Sequence, residues 1–184
     1  MHFPLYVELA GRACLVVGGG EIAARKVATL VSFGAVVTVV ADEVSPAIVE
    51  GAQCHVERRR FADADIGGQT LVVAATDDAA VNARVARLCR ERGVLVNVVD
   101  DPANCSFIFP AIVRRGPIVA AVSSGGACPV AAKLVRDRIA RGLDDDFVAE
   151  VERLGKERED MKRAYPDPAD RRRQCEERLR KWKD

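Results

Sequence analysis

Histidine is scarce in this chain, paired cysteines are absent, and neither charge sign dominates. The two histidines, His2 and His55, are too few for a multi-histidine metal site, so no resident metal is expected. Six cysteines (Cys14, Cys54, Cys89, Cys105, Cys128 and Cys175) are scattered without a C-x-x-C pair, which argues against a zinc knuckle and, in a reducing compartment, against disulfides. Cys14 and Cys89 read as small core hydrophobes. Lys plus Arg number 28 against 27 for Asp plus Glu, so no global excess points to nucleic acid or to a membrane surface, and any basic site is local. No run approaches the roughly 20 apolar residues that cross a bilayer, and Met1-His2-Phe3-Pro4-Leu5 lacks the charged and apolar regions of a signal peptide. The expectation is a cytoplasmic protein.

What is present is a strand, glycine turn and helix. The apolar run Ala13-Cys14-Leu15-Val16-Val17 is followed at once by Gly18-Gly19-Gly20 and then by Glu21-Ile22-Ala23-Ala24-Arg25-Lys26. Read as G-x-G-x-x-A on Gly18, Gly20 and Ala23, this supplies a tight turn, a bare backbone for a pyrophosphate and a small residue for close packing of helix on strand. Such a turn aims unpaired helix N–H groups at phosphate. The next apolar run, Val36-Val37-Thr38-Val39-Val40, ends at Ala41-Asp42-Glu43, near the spacing at which a carboxylate meets an adenosine ribose. A dinucleotide site follows, and a carboxylate there favours NAD over NADP because it repels a 2′-phosphate.

The first half alternates strand and helix signals at the spacing of a doubly wound parallel sheet. Ile22, Val27, Leu30 and Val31 give a helical stripe that ends at Gly34. Thr70-Leu71-Val72-Val73-Ala74-Ala75 reads as a buried parallel strand, Asp77 or Asp78 caps a helix carrying Val81, Val85, Leu88 and Cys89, and Val94 to Val99 is the next strand, with Asp100 at its end. Ligands of open α/β sheets bind outside the carboxyl ends of the strands, where Gly18, Asp42, Thr76 and Asp100 emerge together. Asp100 or Asp101 can equally cap a turn before Pro102. Beyond Pro110 the pattern changes: Ala111 to Arg114 and Ile118 to Val122 flank Arg115-Gly116-Pro117 as a hairpin. Ser123-Ser124-Gly125-Gly126-Ala127-Cys128-Pro129 then opens a helix and makes a second candidate anion site. From Asp144 the chain is mostly charged; Asp144-Asp145-Asp146 reads as a helix start rather than a metal site, and the tail as two surface helices.

Several uncommon strings in this order resemble the siroheme synthase N-terminal module, the precorrin-2 dehydrogenase family with or without sirohydrochlorin ferrochelatase activity. They are Cys14 to Gly20 with Ala24-Arg25-Lys26, Ala74-Ala75-Thr76-Asp77-Asp78, Asn97-Val98-Val99-Asp100, Ser106-Phe107-Ile108-Phe109-Pro110 and Val122-Ser123-Ser124-Gly125-Gly126. The resemblance implies an α/β fold with a Rossmann-type parallel-sheet NAD-binding domain over 1–112. A small α+β dimerisation module over 113–143 and a short helical domain over 144–184 would follow. It places the essential aspartate on Asp100 and dinucleotide contacts on Glu21, Ile22, Asp42 and Glu43, beside Gly18, Gly20, Thr76 and Asp77 at the strand ends. A serine phosphorylated in some members matches Ser124.

The implied reaction oxidises precorrin-2 with NAD. It removes a hydride and a proton, so a base is needed, and Asp100 is the candidate. Ferrochelation would ask the same carboxylate to take pyrrole N–H protons from sirohydrochlorin as Fe(II) enters. The tetrapyrrole is rich in carboxylates, and Arg114, Arg115, Lys133, Arg136 and the Ser123 to Gly126 turn, with Ser124 and Gly125 at its centre, are the available supply of cations and anion-binding backbone. A homodimer is implied. The competing readings are an NAD(H)-sensing regulatory domain without chemistry and a dehydrogenase of an unrelated small acid; the latter lacks its expected catalytic histidine or lysine constellation.

Overall fold

The computed structural model describes residues 2–51 and 53–182. The chain divides into two compact units, Met1–Phe109 and Pro110–Asp184.

In the first unit, strands β1 (Ala13–Val17), β2 (Val36–Val40), β3 (His55–Glu57), β4 (Leu71–Ala74) and β5 (Leu95–Val98) form one sheet in the order β3-β2-β1-β4-β5. Every pair is parallel, with Val17 level with Val40 and Ala74, and Ala74 level with Val98. Helices α1 (Glu21–Ser32), α2 (Pro46–Gly51) and α3 (Ala79–Glu91) connect them. The unbroken apolar strands are explained by burial on both faces. Cys14, Val16, Val37, Val39 and Val73 pack with Ala23, Val27 and Leu30 of α1 and with Ile48 of α2. Leu15, Val17, Val40, Val72 and Val96 pack on the other face with Val85, Ala86 and Cys89 of α3. Each fully buried valine or leucine is worth roughly 1.5–3 kcal/mol. Burial pushes the Cys14 and Cys89 thiols up to about 11, as core residues require. The three-residue β3 had no periodic signal to announce it, since its one apolar residue, Val56, lies between the polar His55 and Glu57.

The free edge of β5 is covered by the chain that follows it. Ser106 N–H donates to the Val96 carbonyl at 2.8 Å, and Val96 N–H donates to Ser106 Oγ at 2.8 Å. Val98 N–H donates to Cys105 Sγ at 3.1 Å. The edge groups that would otherwise invite another strand are satisfied.

The second unit contains the antiparallel pair β6 (Ala111–Arg115) and β7 (Ile118–Val122), then α4 (Pro129–Gly142), α5 (Asp145–Lys156), α6 (Arg158–Ala164) and α7 (Pro168–Arg178). The division falls after Phe109 rather than after Ile112, because Ala111 already pairs with Val122. The helical tail belongs to the hairpin's unit instead of standing apart. A Cβ on Gly116 would lie 2.7 Å from both Glu152 and Val148, and Arg115 is ion-paired with Asp145. The tail holds three helices where two were expected, since Glu157 both ends α5 and opens α6. Asp144 caps α5 by accepting from Phe147 N–H at 2.7 Å, as the acidic run predicted. Among the described residues no helix is long and apolar enough to cross a membrane, and no group of three metal-ligating side chains forms.

Candidate dinucleotide and catalytic site

Because the parallel register aligns the carboxyl ends of β1, β2, β4 and β5, the loops that leave them emerge at one level. The two central loops, after β1 and β4, run to helices on opposite faces, which opens a crevice between them. Gly18 turns there with φ 117°, and a Cβ on it would lie 2.3 Å from the Ala75 carbonyl. Gly19 is required for another reason: a Cβ would meet the Glu43 carbonyl at 2.0 Å, because the chain after β2 crosses over it. Sequence reasoning assigned this middle glycine no duty, as the crossing is a long-range contact. Gly20 instead has open space on its Cβ side, with extended backbone at the head of α1 and no side-chain cap. This bare backbone, beside the exposed Glu21 and Ile22, fits a pyrophosphate at a helix N-terminus.

Asp42 and Glu43 stand exposed just past β2, and Arg60 Nε lies 3.5 Å from Asp42 Oδ2. Thr76 turns its side chain inward. Its hydroxyl lies 2.8 Å from Asn82 Oδ1, and Asn82 Nδ2 donates to the Thr76 carbonyl at 2.8 Å, which braces the start of α3. Asp78 is the cap of α3, accepting from Ala80 N–H at 2.8 Å, while Asp77 is exposed at the same edge.

At the end of β5 two adjacent aspartates divide their duties. Asp101 caps the short turn Pro102–Asn104, accepting from Asn104 N–H at 3.3 Å and Nδ2 at 2.6 Å. Asp100 sits in the left-handed region with φ 58°, the one non-glycine residue to do so among those described. That conformation costs of order 1 kcal/mol or more and is often kept where a functional group must be aimed. The Cys105 thiol braces this turn from beneath, within 3.3 Å of the Asp101 carbonyl and 3.2 Å of the Val98 carbonyl.

Lys26 completes the group, and sequence reasoning missed it as a site residue. From the second turn of α1 its ammonium lies 3.9 Å from the Phe109 ring centroid, and the Phe109 ring meets that of Phe107 at 5.2 Å, tilted by 55°. Burial pushes Lys26 below the ordinary lysine value and Arg25 adds to this, while the charges of Cys105 and Asp100 oppose it. The only sequence signal was its place in Ala24-Arg25-Lys26; that it faces the segment after β5 is a tertiary fact.

The remaining candidates lie in the second unit. Ser124 Oγ accepts from Cys128 N–H at 3.0 Å and Ser123 Oγ from Gly125 N–H at 3.0 Å, which shapes the exposed turn ahead of α4. Lys133 is exposed on α4 and Arg114 on β6. Two of the other cations are already engaged: Arg115 with Asp145, and Arg136 with Asp137 at 2.6 Å.

A doubly wound sheet with an open glycine turn at its switch point and an acid past β2 defines a nicotinamide-dinucleotide-binding protein. The comparison with known proteins agrees: an NAD(P)-binding family model matches residues 5–111, and the chain belongs to that family. NAD(P) is accordingly its cofactor class. The chain is 46% identical over 176 residues to a siroheme synthase of Azotobacter vinelandii, covering 93% of this chain and 38% of that protein. It is 44% identical over 174 residues to a siroheme synthase of Methylococcus capsulatus, covering 93% of this chain and 37% of the relative. It thus spans little more than a third of these relatives. Among solved structures, SirC, a precorrin-2 dehydrogenase, matches with a TM-score of 0.76 at 28% identity, covering 96% of this chain and 88% of SirC. The resemblance and the Rossmann-type fold class read from the sequence are both borne out.

Proposed function

We propose that this chain is an NAD-dependent dehydrogenase that oxidises precorrin-2 to sirohydrochlorin in siroheme biosynthesis, acting in the cytoplasm as a homodimer. The observation that carries the reading is Asp100, held in a left-handed conformation at the strand edge while its neighbour Asp101 takes the turn-capping role. Support comes from similarity to siroheme synthases and to a precorrin-2 dehydrogenase. NAD supplies the hydride acceptor. Gly18 and Gly20 admit its pyrophosphate to the head of α1, Glu21 and Ile22 flank it, and Asp42 and Glu43 receive the adenosine ribose. Thr76 and Asp77 line the facing loop. Asp100 accepts the proton lost from the macrocycle as the hydride departs, so one C–H electron pair is removed and one proton released per NADH formed. Ser124, Gly125, Arg114 and Lys133 receive substrate carboxylates.

The same carboxylate could take the two pyrrole protons one after the other, passing each to water, as Fe(II) enters sirohydrochlorin as substrate. Ferrochelation is therefore a second arm of the proposal, followed by the absorbance of sirohydrochlorin with added Fe(II). The dimer reading is supported by Val130, Leu134 and Val135, which lie 42–64% exposed along α4.

Anaerobic incubation of precorrin-2 with NAD should yield NADH and sirohydrochlorin. Asp100→Asn should lower turnover roughly 100-fold or more, the range of a lost general base, while NADH still binds. NADH formation no faster than the enzyme-free rate would reject the dehydrogenase and leave the sensing alternative. Near-normal turnover by Asp100→Asn would remove that residue from the chemistry.

A further inference from the structure

The three consecutive arginines Arg58-Arg59-Arg60 follow β3, whose parallel register places Glu57 level with Val40. Ala41 N–H donates to the Glu57 carbonyl at 3.2 Å, so the chains leaving β2 and β3 depart side by side. Neighbouring arginines then part. Arg59 turns inward, donating from Nε to Glu57 at 2.8 Å and from both terminal nitrogens to Asp65 at 2.8 Å, which ties it into the fold. Arg60 turns to the other side, where its Nε reaches 3.5 Å from Asp42 Oδ2, with the arginine side chain 92% exposed and the aspartate 62% exposed.

From this juxtaposition we infer that Arg60 is a specificity-determining residue for the dinucleotide, a 2′-phosphate partner that Asp42 neutralises. The inference rests on the reading of Asp42 as the ribose contact. An acid at this position accepts hydrogen bonds from ribose hydroxyls and repels a 2′-phosphate, whereas an arginine there accommodates the phosphate. This chain carries both groups in contact, so one residue decides whether the other is available. A guanidinium suits the role because its fork of donors matches phosphate oxygens. Because both side chains are exposed, burial does not hold Arg60 back; the Asp42 charge beside it offsets the guanidinium and repels a 2′-phosphate that would approach it.

Titration of the whole chain with NADH and with NADPH, by calorimetry or nicotinamide fluorescence, tests this without any tetrapyrrole. The unaltered protein should bind NADH more tightly than NADPH. Asp42→Ala should raise NADPH affinity roughly tenfold or more, the size of a charge-assisted hydrogen bond gained. Adding Arg60→Ala should abolish that gain, whereas adding Arg58→Ala, which deletes the same charge two residues away, should keep it. The inference is overturned if Asp42→Ala gains nothing for NADPH, if the gain survives loss of Arg60, or if losing Arg58 abolishes it equally. Failure of the unaltered protein to bind either dinucleotide would instead strike the cofactor reading itself, and Arg60's role would fall with it.

Discussion

Two units of one chain close their structures by opposite means. Between Met1 and Phe109, strand residues such as Val16, Val39, Val72 and Val73 are wholly removed from water on two faces of one sheet. Between Pro110 and Asp184, Ala132, still 8% exposed, is the single buried apolar residue among those described, and Glu150 at 9% is nearly as buried. That unit is laced by charge. Glu150 is paired with Arg153 at 2.7 Å and also with Arg178, which in turn holds Glu157. Trp182 Nε1 donates to the Asp144 carboxylate at 3.1 Å while its ring meets Phe147 at 5.3 Å. An apolar core is insensitive to salt and to mild acid, but exposed ion pairs are screened and titrate. The first unit is therefore held mainly by apolar burial, whereas the second leans on charge pairs that respond to salt and pH.

The largest effect should come from breaking the first unit at its turn. Gly18→Ala places a Cβ against the Ala75 carbonyl in a backbone region closed to other residues, at a cost of about 3 kcal/mol. Thermal denaturation should show the loss, and NADH binding should disappear with it; a protein of unchanged melting temperature would show that the turn is not packed as described. A smaller effect is expected from Leu134→Asp on α4. It should weaken self-association by roughly 2 kcal/mol or more while leaving NADH binding intact, as read by light scattering against concentration. A chain that is monomeric before the substitution would reject the dimer.

The smallest effect separates the units by pH. The hydrogen bond from Arg178 holds the Glu150 carboxyl below its ordinary value, against the opposing influence of burial. A carboxylate depressed in the folded state stabilises fully above its unfolded value of 4.5 and loses that contribution as pH falls through the lower folded one. Hydrogen exchange followed segment by segment should therefore show α5 and α7 losing protection below pH 4.5 before β1 and β4 do. Glu150→Gln should reproduce the loss at neutral pH, and equal protection of both units at low pH would erase the contrast.

Much of the first unit was readable in advance because its signals are local. A run such as Cys14 to Val17 before Gly18 needs only nearest neighbours to declare a strand and a turn. Asp144 likewise announced its cap. Less was readable where meaning depends on what lies opposite. Gly19 is compelled by Glu43 and Val44, and Lys26 by Phe109. Arg59 and Arg60 are identical in type and adjacent, yet one is tied to Asp65 and the other faces Asp42. Asp100 and Asp101 could not be told apart by pattern, and the backbone separated them.

Apolar runs and punctuation along the chain were enough to place the main strands and helices of the first unit, β3 excepted, and the sheet edge at which a dinucleotide is met, since those follow from burial and the reach of glycine. Which of two like neighbours turns toward that edge was decided by packing alone. Side-chain direction depends on strand register and on the loop crossing above it, and neither is encoded within a few residues.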